Sequence, residues 1–435
     1  MHSNLLDLFE RRAHLRSMKG HIIEAPLPGV SIGELCLIHS SSECDDLVGR
    51  AQVVGFNRDA AILSTLGRTT GLSRRAVIVP TGGRLSIDLS PRMLGTVIDS
   101  AGQCTDVFRS DEVNMTLGSM RRMDVDMPPP NYLDRRPIAR PLETGIRVID
   151  GLLTCGVGQR VGIFASAGCG KTSLMKMLID HSAAEIYVIA LIGERGREVS
   201  EFVEVIKASR RANKTIIVYA TSDCSSVDRC NAALLATTIA EYFRDIGKEV
   251  MLFLDSVTRY ARAMRDMALA TGEAPVRRGY PVSVFEGMPR LLERPGQTAT
   301  GSITAFYTIL LENEEEPDPI GDEIRSLIDG HIYLSRKLSE RGHFPAVDVL
   351  KSASRLFDEV ADTAHRQLAT QFRRHLARLD EIQIFLDLGE YRRGENKEID
   401  DAIDKRPALD AFLQQPLGEP SAFQKTLEQL DETLG

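Results

Sequence analysis

No stretch of the 435 residues stays apolar for long. The longest uninterrupted run, Ile186 to Ile192, falls far short of the ~20 residues that cross a bilayer. The opening MHSNLLDLFERRAHLR has no apolar secretory core, so the chain is expected to stay in the cytosol. Seven cysteines, an odd number with no C-x-x-C pair, argue against a disulfide framework or a zinc site and for reduced, mostly buried thiols. Positive charge is in deficit as well. A formal net charge of −8 gives no footprint for a nucleic-acid backbone, although a local basic patch stays possible. No internal repeat is visible.

A hydrophobic content of 43% in this length is enough for about three domains with real cores. Residues 1–22 carry Leu5, Leu6, Phe9 and Leu15 among charges, the pattern of an amphipathic helix that packs on a neighbour or lies on a membrane surface. Over 23–106 the pattern changes to short apolar runs punctuated by glycine (LCLIH, AQVVGF, AAILSTLG, AVIVPTGG), which predicts a small β-barrel. A polar linker with three consecutive prolines covers 107–136. Between 137 and 351 strands alternate with helices, the signature of an α/β domain built on a mostly parallel sheet. Its readable strands are Val161–Phe164, Ile186–Ile192, Thr215–Ala220 and Val250–Leu254. From 352 to 435 the chain reads as helices.

The α/β segment carries the chemistry. FASAGCGKTSLMKM fits the P-loop pattern G-x-x-x-x-G-K-[ST] over Ala165, Ser166, Ala167, Gly168, Cys169, Gly170, Lys171 and Thr172, with Ser173 following. Only the first glycine is replaced, by Ala165, and a methyl is tolerated there if the residue keeps strand dihedrals. Backbone N–H groups of such a loop and of the helix it opens converge on an anion. Lys171 then reaches the β- and γ-phosphates, and the Thr172 hydroxyl takes the Mg2+ ion. Cys169 is read as a small residue of convenient size. VMLFLDS ends a buried strand on Asp255, a second acidic group for the metal shell. IGERGRE ends another on Glu194 and Arg195, and a carboxylate there can orient the water that attacks the γ-phosphate, the alternative being that residues 194–198 form only a solvated strand-to-helix turn.

With LFLDSVTRYARAMRD, RRGYPVSVF, RGHFPAVDVLKSASRLFD and FLQQPL following the P-loop and GERGRE in one order, the chain from about residue 25 onward resembles the rotary ATPase family. Within that family it is most similar to the ATPases of type III secretion systems. The resemblance implies an N-terminal β-barrel, a central P-loop (RecA-like) domain, a helical C-terminal domain, and a homohexamer with ATP at each interface. It also implies Glu194 as catalytic carboxylate, Asp255 as Walker-B acid, Arg195 and Arg259 as polar supports, and Phe344 against adenine. Arg355 matches the arginine finger of a neighbouring protomer. For Phe344 plain core stays open as an alternative, as does a solvated turn for Arg277 and Arg278. The implied partners are a central coiled-coil stalk protein, a peripheral stator or regulator, chaperone–effector complexes and the export apparatus at the inner membrane, with no nucleic acid. The implied work is release of chaperones from secretion substrates and their unfolding for export. Two rival readings are a hexameric RNA-dependent motor of the transcription-terminator kind and a nucleotide-binding ring subunit without activity.

Overall fold

The computed structural model describes residues 11–44, 46–67, 71–109, 120–312 and 318–435. In Glu34–His39 buried and half-buried residues alternate strictly, the period of a strand with one face on a core. Seven strands between Ala13 and Arg84 form one antiparallel sheet. Its two end strands, Ala13–His14 and Ser17–Lys19, are separated in the chain only by Leu15 and Arg16. The sheet edges are thereby drawn together around Ile23, Ile38, Leu63 and Ile78, which is the expected barrel.

Both ends of that domain differ from expectation. The helix expected over 1–22 does not form in its described part, because Ser17–Lys19 pairs with Ile22–Ala25, which pairs with Ala60–Leu66. Leu15 and Met18 pack on the barrel core, and this long-range sheet outweighs a local helical pattern. Residues 1–10 lie outside the described residues. At the other end, Thr96–Asp99 and Cys104–Val107 fall within the expected barrel range but join the central sheet, Thr96–Asp99 running parallel to Thr215–Thr221. Alternation in sequence marks a strand without saying which sheet it enters.

Among the described residues the central sheet has ten strands. In spatial order nine of them are Cys104–Val107, Thr96–Asp99, Thr215–Thr221, Ile186–Glu194, Glu249–Asp255, Ser302–Leu310, Arg160–Ala165, Gly330–Leu334 and Val347–Ser354. From Thr96–Asp99 to Gly330–Leu334 all neighbours are parallel. The unbroken apolar run Ile186–Ile192 follows from burial on both faces. Tyr187, Ile189 and Leu191 join one core with the helices Lys171–His181 and Gly196–Lys207. Ile186, Val188, Ala190 and Ile192 join another with Ser226–Asp245 and Val257–Ala270. The last strand, Val347–Ser354, runs antiparallel to its neighbour. The helices Thr363–Leu388, Lys397–Leu413 and Phe423–Leu434 then pack on one another and on Arg147–Leu152.

Two buried charges hold the parts together. Asp228, 1% exposed, accepts hydrogen bonds from the Ser225 hydroxyl at 2.7 Å, the Ser100 hydroxyl at 2.8 Å and the backbone N–H of Gly67 in the barrel at 3.0 Å. Arg294 is fully buried and donates to Glu241 at 2.6 and 3.0 Å, to the Thr238 hydroxyl at 2.8 Å and to the Val125 carbonyl at 3.1 Å, which pins the linker. Deleting one member of such a pair costs ~3–5 kcal/mol because the other charge stays buried. Arg294→Met is therefore expected to lower the urea midpoint sharply. Arg294→Met with Glu241→Leu recovers most of that loss if the penalty is the orphaned carboxylate.

Candidate active site

The site lies at the carboxyl ends of the parallel strands, where an open α/β sheet leaves a crevice. Ala165 is the last residue of its strand, paired with Leu310 on one side and Leu334 on the other, and is fully buried. It keeps strand geometry, so the replaced glycine needed no special backbone freedom. Gly168 and Gly170 do need it, with φ of 82° and 83°. After Gly170 the helix Lys171–His181 begins with no side-chain cap, which leaves its first N–H groups facing the cleft. Cys169 points the other way and is buried in the core, so packing and not reactivity explains it.

A cleft of about 400 Å³ opens over this loop. Ser166, Ala167, Gly168, Gly170, Lys171, Thr172 and Ser173 line it from the P-loop side, and Glu194, Asp255 and Arg259 from the strand ends. The Lys171 ammonium sits 2.6 Å from Asp255 Oδ1 and 3.6 Å from Glu194 Oε1. On the other side Arg259 Nη2 is 3.1 Å from Glu194 Oε2, and its second amino group donates to the Gly193 carbonyl. Thr308 donates its hydroxyl to Asp255 Oδ1 at 2.6 Å. Both carboxylates are nearly out of water, Glu194 at 7% and Asp255 at 6% exposure. Glu194 Oε1 has no hydrogen-bond partner among the described residues.

Burial pushes the Glu194 carboxyl up to about 7. A hydrogen bond with Glu198 and the negative charge of Asp255 push the same way, while Lys171 and Arg259 oppose them. Glu198 is held below the usual carboxylate range, chiefly by that shared hydrogen bond. A carboxylate poised near neutrality, with one oxygen clamped by Arg259 and the other buried without a hydrogen-bond partner 3.6 Å from Lys171, is suited to accept a proton from water.

The remaining expected residues divide. Arg195 turns outward, with its side chain 81% exposed and 3.4 Å from Glu198, so Arg259 is the arginine that holds Glu194. Phe344 is 37% exposed and therefore not plain core. Its ring lies 3.3 Å from where a Cβ on Gly170 would stand, so it borders the P-loop. Arg355 is exposed and stands apart from this group, donating to the Arg325 carbonyl at 3.0 Å. Arg355 follows Ser354, which registers with Gly330, and Gly330 registers with Val161, four residues before the P-loop begins. At ~3.3 Å per residue that is roughly 13 Å toward the opposite end of the sheet. Thr308 escaped sequence reading because a threonine inside a strand carries no local signal.

Residues 145–354 match the ATP synthase alpha/beta family, nucleotide-binding domain, residues 17–82 the beta-barrel domain of that family, and residues 361–432 the T3SS EscN ATPase C-terminal domain. The SPI-1 type 3 secretion system ATPase of Salmonella typhi is 56% identical over 420 residues, covering 97% of this chain and 96% of that protein. The chain belongs to the type III secretion ATPase family. The flagellum-specific ATP synthase of Bacillus subtilis is 39% identical and covers 99% of this chain and 97% of that protein. Among solved structures, assembled EscN from enteropathogenic E. coli superimposes with a TM-score of 0.88 at 40% identity, covering 97% of this chain and 100% of that one. EscN in complex with its central stalk EscO gives 0.85 at 40% identity with the same coverage. The secretion ATPase is an ATP hydrolase. Neither rival reading, the RNA motor or the inactive ring subunit, is supported by these matches.

Proposed function

We propose that this ATPase works as a homohexameric ring in the cytoplasm, peripherally associated with the inner membrane at the secretion apparatus, with one ATP between each pair of protomers. The ring releases chaperones from effectors, unfolds them and helps drive export. A central coiled-coil stalk protein fills its hole and a peripheral stator or regulator holds its rim. The complex of the similar EscN with its central stalk EscO supports the stalk. Among the described residues no helix is long and apolar enough to cross a membrane.

The observation that carries the catalytic reading is the buried Glu194 carboxylate, clamped by Arg259 and facing Lys171 across the mouth of the P-loop. Lys171 exchanges Asp255 for the β- and γ-phosphates, and the loop amides hold the remaining phosphate oxygens. Glu194 orients water in line with the γ-phosphorus and accepts its proton as the P–O bond to ADP breaks. Thr172, exposed on the first turn of the helix, and Asp255 offer one hydroxyl and one carboxylate, hard oxygen donors that suit Mg2+. The ion would neutralise charge on the phosphates. Phe344 would stack on adenine, and Arg355 would enter the site of the next protomer.

The test separates binding from chemistry. Glu194→Gln should bind a fluorescent ATP analogue with near-normal affinity while turnover collapses; equal loss of both would make Glu194 structural. The pH profile supplies the sign. Because the Glu194 carboxyl sits at about 7, it is protonated and inactive below that value, so kcat/KM should fall about tenfold per pH unit on the acid side. A kcat/KM flat between pH 5 and 8 would refute Glu194 as the base.

A further inference from the structure

A cavity of about 540 Å³ lies away from the ATP cleft, between the helices Thr363–Leu388 and Lys397–Leu413. One wall is a face of the first helix, with lining residues at three- and four-residue spacing from Thr363 to Arg378. The opposite face of that helix buries Ala369, Phe372 and Leu379 in the core. A span of 15 residues makes the trough roughly 22 Å long. Such a volume drawn out to that length is long and thin, matching a row of side chains better than a compact ligand.

Its charges are unevenly compensated. Arg378 is matched by Glu381 at 3.0 Å and Glu398 at 3.1 Å. Arg366 donates only to neutral acceptors, the Asp358 carbonyl and the Thr363 hydroxyl. Arg374 forms no ion pair among the described residues. His375, with its side chain 10% exposed, has Nε2 buried without a hydrogen-bond partner, 3.7 Å from Asp401. A buried polar atom left unsatisfied is costly, and here it borders a trough with two uncompensated guanidinium groups. Those two groups are eight residues apart, about 12 Å along the helix.

We infer that this trough is a docking site for an acidic helical segment of a partner protein, whose carboxylates, two turns apart, pair with Arg366 and Arg374 while a polar group satisfies His375. The wall is polar throughout, so the contact is governed by charge and is released by salt.

The probe is a fluorescein-labelled synthetic peptide with glutamates at every fourth position among alanines, titrated into the full-length ATPase at low and physiological salt. Binding should weaken as salt rises. Arg366→Gln with Arg374→Gln should weaken it by about tenfold or more, with ATP turnover retained. Arg392→Gln, outside the trough, should leave binding unchanged. Reversal to Arg366→Glu with Arg374→Glu should switch preference to the matching lysine peptide, a result that misfolding cannot produce. Unchanged affinity in the double variant would overturn the proposal. So would displacement of the peptide by equimolar pyrophosphate, which would mark a compact anion site. Loss of phosphatidylglycerol-vesicle binding with peptide binding intact would overturn it in favour of a membrane face. Collapse of the ring in the variants would overturn it by placing the trough between protomers.

Discussion

Arg355→Ala should leave the ATPase nearly inactive, and mixing it with the equally inactive Glu194→Gln should restore activity. Loss of an arginine finger costs ~10³- to 10⁵-fold in rate, about 4–7 kcal/mol of barrier. Within one protomer Arg355 has no route to its own P-loop, because the edge strand Val347–Ser354 runs antiparallel and delivers it to the far end of the sheet. A finger that acts does so on a neighbour. When rings of the two variants are dissociated and reassembled together, roughly a quarter of the heterologous interfaces take Glu194 from one subunit and Arg355 from the next. The co-assembled rings should then recover a measurable part of wild-type phosphate release, up to about that quarter if the sites turn over independently. Co-assembled rings that stay inactive would remove Arg355 from the neighbour's chemistry and end the shared-site mechanism.

Lys171→Ala is expected to abolish turnover and leave the protein folded. The loss in rate should reach ~10²- to 10³-fold or more, since the variant removes the preorganised cation facing the transferred phosphoryl group. The fold survives because neither carboxylate is left bare: Thr308 still donates to Asp255, and Arg259 still pairs with Glu194. Without Lys171 the Glu194 carboxyl loses a neighbouring cation that opposes its upward shift, so it protonates more readily and avoids becoming an isolated buried charge. Phosphate release and a thermal melt on the same preparation check both halves. Turnover near the wild-type rate would remove Lys171 from the chemistry, and a collapsed melt would show that its ion pairs carry the fold.

The positions of the P-loop, Asp255 and Glu194 were legible because their signals are local, glycines where the backbone turns left-handed and acids where buried strands end, while the catalytic role of Glu194 came from the resemblance. The doubly buried strand Ile186–Glu194 was equally plain as an apolar run. What stayed hidden depends on contacts distant in sequence. Leu15 reads as part of a helix until Ile22–Ala25 supplies a strand partner, and Thr96–Asp99 reads as barrel until Thr215–Thr221 claims it. Arg195 and Arg259 are equivalent as letters, but one stands exposed at the start of a helix and the other donates to the Gly193 carbonyl. Arg355 came from resemblance alone; its placement is a property of strand direction, which no local pattern encodes.

The boundary between barrel and ATPase domain is a poor place to cut this protein. Asp228 takes the Gly67 amide across that boundary at 3.0 Å, beside Ser225 and Ser100, at the start of the helix Ser226–Asp245. The loop leading into that helix gives the Ser222 amide to the carbonyl of Glu194 at 3.0 Å. A truncated protein beginning after the barrel would carry a buried carboxylate short of one donor, one loop away from the catalytic carboxylate. Poor activity in such a fragment would reflect a disturbed hinge point and not a missing domain function. Conversely, any tilt of the barrel would be felt at the strand end carrying Glu194 through the Gly67–Asp228 and Ser222–Glu194 hydrogen bonds.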